Sequence, residues 1–247
     1  MEPVQPRGEP LLALIARTLF THDAAGRLID VNEPGGPRAP RFYMLWDGHD
    51  LLWRVRHDLP SSLVAALAAI VTGHPAPHDL ERLPLFAEAI RTALAEHAAV
   101  ANELGGFEYV FPEEVHPPDA PAADSPGAAA DVIAVTAENA AVLQRWLPEW
   151  SNYAATGLPM MAALVDGAAV AVAACVRFPG DATEAGVETH AAFRGRGHAA
   201  MATAAWARAV RAHGLVPLYG TSWRNHASQR VAAKLGLIRV AASLGIA

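Results

Sequence analysis

The sequence predicts an α/β (α+β) fold: strands and helices succeed one another in the C-terminal half, preceded by an N-terminal α+β module. Three observations predict it. Residues 187–199 run from a β-type segment through Gly195-Arg196-Gly197 straight into an Ala-rich helix. Two Asp-Gly pairs, Asp47-Gly48 and Asp166-Gly167, each separate two apolar runs, as the positive-φ turn of a hairpin requires. Residues 116–130 are rich in Pro, Ala and Asp without periodicity, which marks an extended linker. The expected organisation is a module of unassigned role at 1–115, the linker at 116–130, and a ligand-binding domain at 131–247.

Each element has a local reason. Residues 11–20 alternate as an amphipathic helix, and 26–31 read as a strand. Residues 41–46 and 51–56 flank Asp47-Gly48 as a hairpin. Pro60 opens a helix to about Val71, at the first-turn position proline tolerates. Residues 84–97 form a second helix, and 107–111 another strand. After the linker, 132–135 is a strand and Thr136 is placed to cap a helix through Trp146. Residues 148–159 read as a loop. Residues 160–165 and 168–178 form the second hairpin. Residues 185–190 are the strand entering the glycine turn, and 197–213 the main helix, stopped by Gly214. A strand at 216–221, a helix at 225–235 ended by Gly236, and a strand at 237–242 complete the chain.

Composition narrows the function. The chain has 247 residues and a net charge of −6, which argues against a general nucleic-acid binder. Lys234 is the only lysine, so the cationic charge is carried by arginine. The lone Cys175 excludes an intramolecular disulfide and suits a reducing cytoplasm. It lies in the apolar run 171–176, where a thiol is buried and inert. The N-terminus is polar and Pro-rich rather than cationic then apolar, so no targeting signal is expected. The longest apolar windows fall well short of the ~20 residues that span a bilayer. A cytoplasmic protein without membrane contact is the expectation.

The turn at 194–199 is built for an anion. The first turn of a helix leaves its N–H groups without intrahelical acceptors, and the aligned peptide dipoles place roughly half a positive charge there. Glycines admit a close approach, and Arg194 and Arg196 add charge, so the turn is a phosphate cradle. A nucleotide P-loop would need Lys and Ser or Thr after the glycine, but His198-Ala199-Ala200 follow Gly197. A dinucleotide fold would need an acid at the end of the next strand, and residues 216–222 have none.

Two motifs taken together resemble those of the GNAT superfamily of acyl-CoA N-acyltransferases. Arg194-x-x-Gly197-x-Ala199 is similar to that family's pyrophosphate motif, Q/R-x-x-G-x-G/A. Asn225, the small Ser228 three residues on, and the Lys234-Leu235-Gly236-Leu237 ending resemble its second signature. The resemblance covers roughly residues 131–247. It implies a GNAT-like mixed, mostly antiparallel sheet flanked by helices, in which strand residues Val187, Glu188 and Thr189 bind the pantetheine arm and thioester. Arg194, Gly195, Arg196, Gly197, His198 and Ala199 would hold the pyrophosphate, and Asn225 and Ser228 would complete the coenzyme site. The chain departs from the family pattern by having room for one strand after the last helix where two are usual. The bare sheet edge this leaves is expected to be completed by the N-terminal module, or covered by a second subunit in a homodimer.

The implied chemistry is acetyl transfer from acetyl-CoA to a primary amine of a small molecule, with acetyl-CoA as donor substrate and no metal. An amine of pKa about 10.4 is only about one part in 10³ neutral at pH 7, so a positioned base matters. Glu188 is one candidate, the alternative being a strand carboxylate paired with Arg177. His190 is a second candidate, its ordinary pKa lying near neutrality. The family often places a tyrosine seven residues after the Asn as proton donor; this chain has Ala232 there. Tyr219, Ser222 or Ser228, or a water, would have to substitute. If none does, the alternative is a weakly catalytic or non-catalytic acyl-CoA-binding sensor.

Other features fit packing better. His74 and His78 are spaced as helical ligands, but Pro75 and Pro77 forbid the helix. Trp206 reads as core, and Trp223 as core or acceptor-pocket wall. The Gly/Pro-rich loop 32–41 is either a turn-rich connection or a wall of the acceptor site.

Overall fold

The computed structural model describes residues 10–116, 131–177 and 180–247. The linker at 117–130, with Phe178 and Pro179, lies outside the described residues. In chain order the elements are α1 (Leu11–Leu19), β1 (Phe20–His22), β2 (Leu28–Val31), β3 (Phe42–Trp46), β4 (Leu51–Val55), α2 (Ser61–Thr72), α3 (Ala87–His97) and β5 (Glu103–Val110). There follow β6 (Asp131–Ala134), α4 (Ser151–Ala154), β7 (Met160–Val165), β8 (Ala168–Cys175), β9 (Ala182–Thr189), α5 (His198–Ala212), β10 (Val216–Ser222), α6 (His226–Lys234) and β11 (Ile238–Ile246). The fold is mixed α+β, with mostly antiparallel strand pairing flanked by helices.

The chain forms two compact units that are discontinuous in sequence. The first holds Val110–Tyr219 and His226–Ile238. Its strands run in the order β10-β9-β8-β7-β6. β9 and β10 are parallel, and the other neighbours antiparallel. β8 is buried along its whole length. Its Ala/Val run is what a strand covered on both faces requires, since small side chains let both layers approach. Ala163 and Ala171 cluster with Met201 of α5 on one face. Val172 and Ala174 pack on the opposite face with Leu143, Leu147, Trp150 and Ala154. Asp166 (φ 49°) and Gly167 (φ 74°) turn the β7–β8 hairpin as the Asp-Gly pair foretells.

The second unit holds Pro6–Tyr109, Gly220–Asn225 and Arg239–Ala247. Its strand order is β4-β3-β11-β5, with a separate β1–β2 ribbon. The C-terminal strand β11 thus lies between β3 and β5, so the N-terminal module supplies both of its neighbours. Gly105 permits this crowding: a Cβ there would lie 2.6 Å from the Ser243 carbonyl oxygen of β11. Arg41 is buried and donates to the carbonyls of Leu94, Ala98 and Ala99 at the end of α3, and to Ala247.

Three expectations need revision. The helix read over 136–146 is only a 3₁₀ turn at Ala140–Leu143. Asn139 explains it: its side chain accepts the Thr136 N–H at 2.8 Å and donates to the Ala134 carbonyl at 2.9 Å, bonds that compete with helix formation. Residues 148–159 are not wholly loop, for a 3₁₀ turn at Pro148–Trp150 leads into the short α4. β1 has no counterpart in the sequence reading; its three residues are too few for a periodicity signal.

The loop at 32–41 closes on its own unit. Asn32 donates to the Thr18 carbonyl at 2.9 Å, and Arg38 meets Asp58 at 3.3 Å. Asp58 also accepts from Arg56 at 2.8 Å, and Arg56 reaches the Ala39 carbonyl. The Arg56 hydrogen bond holds the Asp58 carboxyl below its ordinary value of 3.8. A folded pKa below the unfolded one stabilises the fold above the unfolded value and is lost as pH falls through the folded one. D58N is therefore expected to cost about 1 kcal/mol at pH 7. The gap from the parent protein should close as pH drops below 3.8, read by urea unfolding across pH.

Candidate active site

β9 carries the site. It pairs with β10 over only three residues, Ala182–Glu184 against Val216–Leu218. On its other side it stays paired with β8 from Ala185 to Thr189. The Val176 N–H donates to Glu184, and the His190 N–H to Val170. Antiparallel residues exchange both bonds in alternate pairs, so Glu184, Gly186, Glu188 and His190 direct their backbone groups at β8. Ala185, Val187 and Thr189 direct theirs the opposite way, past the point where pairing with β10 has ended. Tyr219 is the first residue of β10 beyond that pairing.

The strand delivers the chain into the glycine turn. A 3₁₀ turn at Ala191–Phe193 is followed by Gly195 (φ 79°) and Gly197 (φ 88°), both in the left-handed region. Gly197 stands at the N-cap of α5 and provides no side-chain cap, so the first-turn N–H groups face outward. A Cβ added at either glycine would meet nothing within 4 Å, which leaves the backbone open to an approaching anion. Arg194 is exposed and donates through Nε to the Thr189 carbonyl at 3.1 Å, clamping turn to strand. Arg196 is exposed, its guanidinium 5.6 Å from the Phe193 ring centroid. His198 is buried beside Phe193, so the cradle offers its backbone N–H rather than its imidazole. Ala199 follows in the first turn of the helix.

The candidate bases differ in setting. Glu188 is half-buried, and its Oε2 accepts the Trp150 indole N–H at 2.7 Å. Arg177 does not take it; that guanidinium pairs with Glu184 at 3.3 Å. The His190 ring lies 4.6 Å from that of Trp146, tilted by 39°, with Phe193 at 6.0 Å. Among the hydroxyls, Tyr219 meets Ser228 of α6 at 2.8 Å, so sheet and helix bring this pair together. Ala232 is buried at the position without a tyrosine. Ser222 is exposed at the end of β10. Asn225 is exposed in the turn before α6, its N–H on the Ser222 carbonyl at 3.0 Å, and belongs to the second compact unit.

Three site residues escape the sequence reading: Trp146, Trp150 and Gly186. A glycine inside an apolar strand signals close approach, and Gly186 is that signal. A Cβ there would lie 3.0 Å from the Trp150 ring and 2.0 Å from Val176. His74 and His78 each bond a backbone carbonyl, of Ile70 and of Gly48 respectively. Among the described residues no group of His, Cys, Asp and Glu is placed to hold a metal ion. Nor is any helix there long and apolar enough to cross a membrane.

Residues 132–242 match the family model for GNAT acetyltransferase. The C-terminal half of the chain is therefore a GNAT acetyltransferase domain. No curated protein matches the chain. Among solved structures it is similar to a putative GNAT-family acetyltransferase of Novosphingobium aromaticivorans, at 21% identity and a TM-score of 0.41, over 60% of this chain and 65% of that one. A GCN5-related N-acetyltransferase of Kribbella flavida shares 17% identity at a TM-score of 0.48, over 97% and 96% of the two chains. A third is AAC(6')-Iy in complex with the bisubstrate analog CoA-S-monomethyl-acetylneamine, at 22% identity and a TM-score of 0.36, over 44% and 91%.

Cys175 lies across the sheet from these groups. Burial pushes its thiol up. A protonated, covered thiol is a poor nucleophile. The native protein should react with an aromatic disulfide reagent about 100-fold or more slowly than the urea-unfolded chain, followed by thiolate release.

Proposed function

We propose that the chain transfers an acetyl group from acetyl-CoA to a primary amine of a small molecule. One observation carries this reading: β9 loses β10 after Glu184 while β8 still holds it, and the strand so exposed leads straight into the cradle. An extended ligand with amide groups fits such an edge, because Val187 provides a backbone donor and acceptor and Thr189 a backbone donor. A pyrophosphate fits the N–H groups of 195–199 with Arg194 and Arg196 beside it. Coenzyme A joins these chemistries in one molecule, and family membership supports acyl transfer in general.

In the reaction the amine nitrogen attacks the thioester carbonyl carbon. The C–N bond forms and the C–S bond breaks. The proton leaving nitrogen passes to Glu188, directly or through a water. The departing thiolate takes a proton from Tyr219, whose hydroxyl is linked to Ser228. Solvent returns both groups to their starting states, giving an amide and free coenzyme A thiol. The low basic charge offers no match to a nucleic-acid-bound acceptor.

The test is free-thiol release from acetyl-CoA across a panel of small amines. E188Q should lower kcat by about 10²–10⁴-fold with coenzyme affinity retained, and Y219F should lower it less. Tight coenzyme binding without thiol release for any amine would instead favour a sensor. G197W should abolish coenzyme binding by calorimetry, since it strains a φ of 88° and fills the open side of the turn. Unchanged affinity would remove the pyrophosphate from this turn.

A further inference from the structure

We propose that Trp150 is a positioning residue, which holds the Glu188 carboxylate in the orientation that accepts the amine proton. This rests on the reading of Glu188 as the base.

The two tryptophan–carboxylate partners lie 38 residues apart and meet by construction. Trp150 ends the 3₁₀ turn begun by Pro148, and its N–H closes on the Leu147 carbonyl at 3.1 Å. The indole is set among Leu143, Leu147 and Ala154, with Tyr153 at 5.1 Å. From there it lies over Gly186, two residues before Glu188 on the same face of β9. Any side chain at 186 would collide with the ring or with Val176. The strand is bare where the indole crosses it, and the Nε1–H emerges at Glu188 Oε2, 2.7 Å away.

The choice of donor matters chemically. β9 presents two carboxylates on this face, Glu184 and Glu188. Glu184 takes the cation, Arg177 at 3.3 Å. Glu188 takes a neutral N–H. A guanidinium would favour the charged carboxylate and weaken it as a proton acceptor. An indole N–H fixes the carboxylate's rotation with no formal charge. It occupies Oε2 and leaves Oε1 for the proton. Trp150 therefore acts through Glu188 and touches no reacting atom.

The experiment is a double-mutant cycle on the full chain, with acetyl-CoA and the best amine of the panel. W150F keeps most of the buried ring and deletes the donor. The expected result is about tenfold lower kcat, with KM for acetyl-CoA within about twofold, and no further loss when W150F is added to E188Q. A ring that served packing alone would lower kcat by the same factor in both backgrounds. That outcome, or an unchanged kcat in W150F, overturns the proposal while a damaged E188Q leaves Glu188 as the base. An unaffected E188Q removes the base and the proposal together. If W150F does not fold, the bond is read in E188Q by NMR: one of the six indole N–H signals should move upfield. No movement of any indole signal overturns the proposal.

Discussion

Everything at the candidate site depends on where β9 stops pairing with β10. Three residues of each strand are joined, and then β9 continues with β8 alone. Beyond the junction β10 has other commitments: the Trp223 N–H that follows it donates to the Gly105 carbonyl at 3.1 Å. A strand held on one edge and open on the other leaves the outward backbone groups of Val187 open while β8 keeps the strand in place. Unpaired backbone groups are ordinarily a liability. Here they run into the glycine turn at Gly195 and Gly197, so the open stretch is bounded by that turn at one end and by the strand junction at the other.

The alternation of β9 divides its labour. Residues whose backbone faces β8 include Glu184, Gly186 and Glu188, and their side-chain positions share one face. That face meets a cation, an aromatic ring and an indole N–H in succession. The cradle works differently, through main chain rather than side chain. His198 is turned inward, and Arg194 spends its Nε on Thr189. The proposed anion site is thus a matter of backbone shape, and the proposed reacting end a matter of side-chain partners.

Legibility in the sequence follows the same division. Gly195, Gly197, Gly214 and Gly236 all adopt the positive φ expected of them, because a turn's steric demand is local. Both Asp-Gly hairpins form, with Gly48 and Gly167 in the left-handed region. The helix read from Thr136 failed where a local competitor, Asn139, outbid the helical bonds. The Trp150–Glu188 bond and the Tyr219–Ser228 pair were invisible, since each joins different elements.

The sequence by itself determined the glycine turn and the family of the C-terminal half, since these rest on backbone sterics and on short local motifs. Tertiary structure alone decided which donor each carboxylate receives and which hydroxyls meet. It alone placed the last strand between two strands from the N-terminal module. Those outcomes depend on how layers pack and strands order. Packing is a sum over distant residues that no local window of sequence contains.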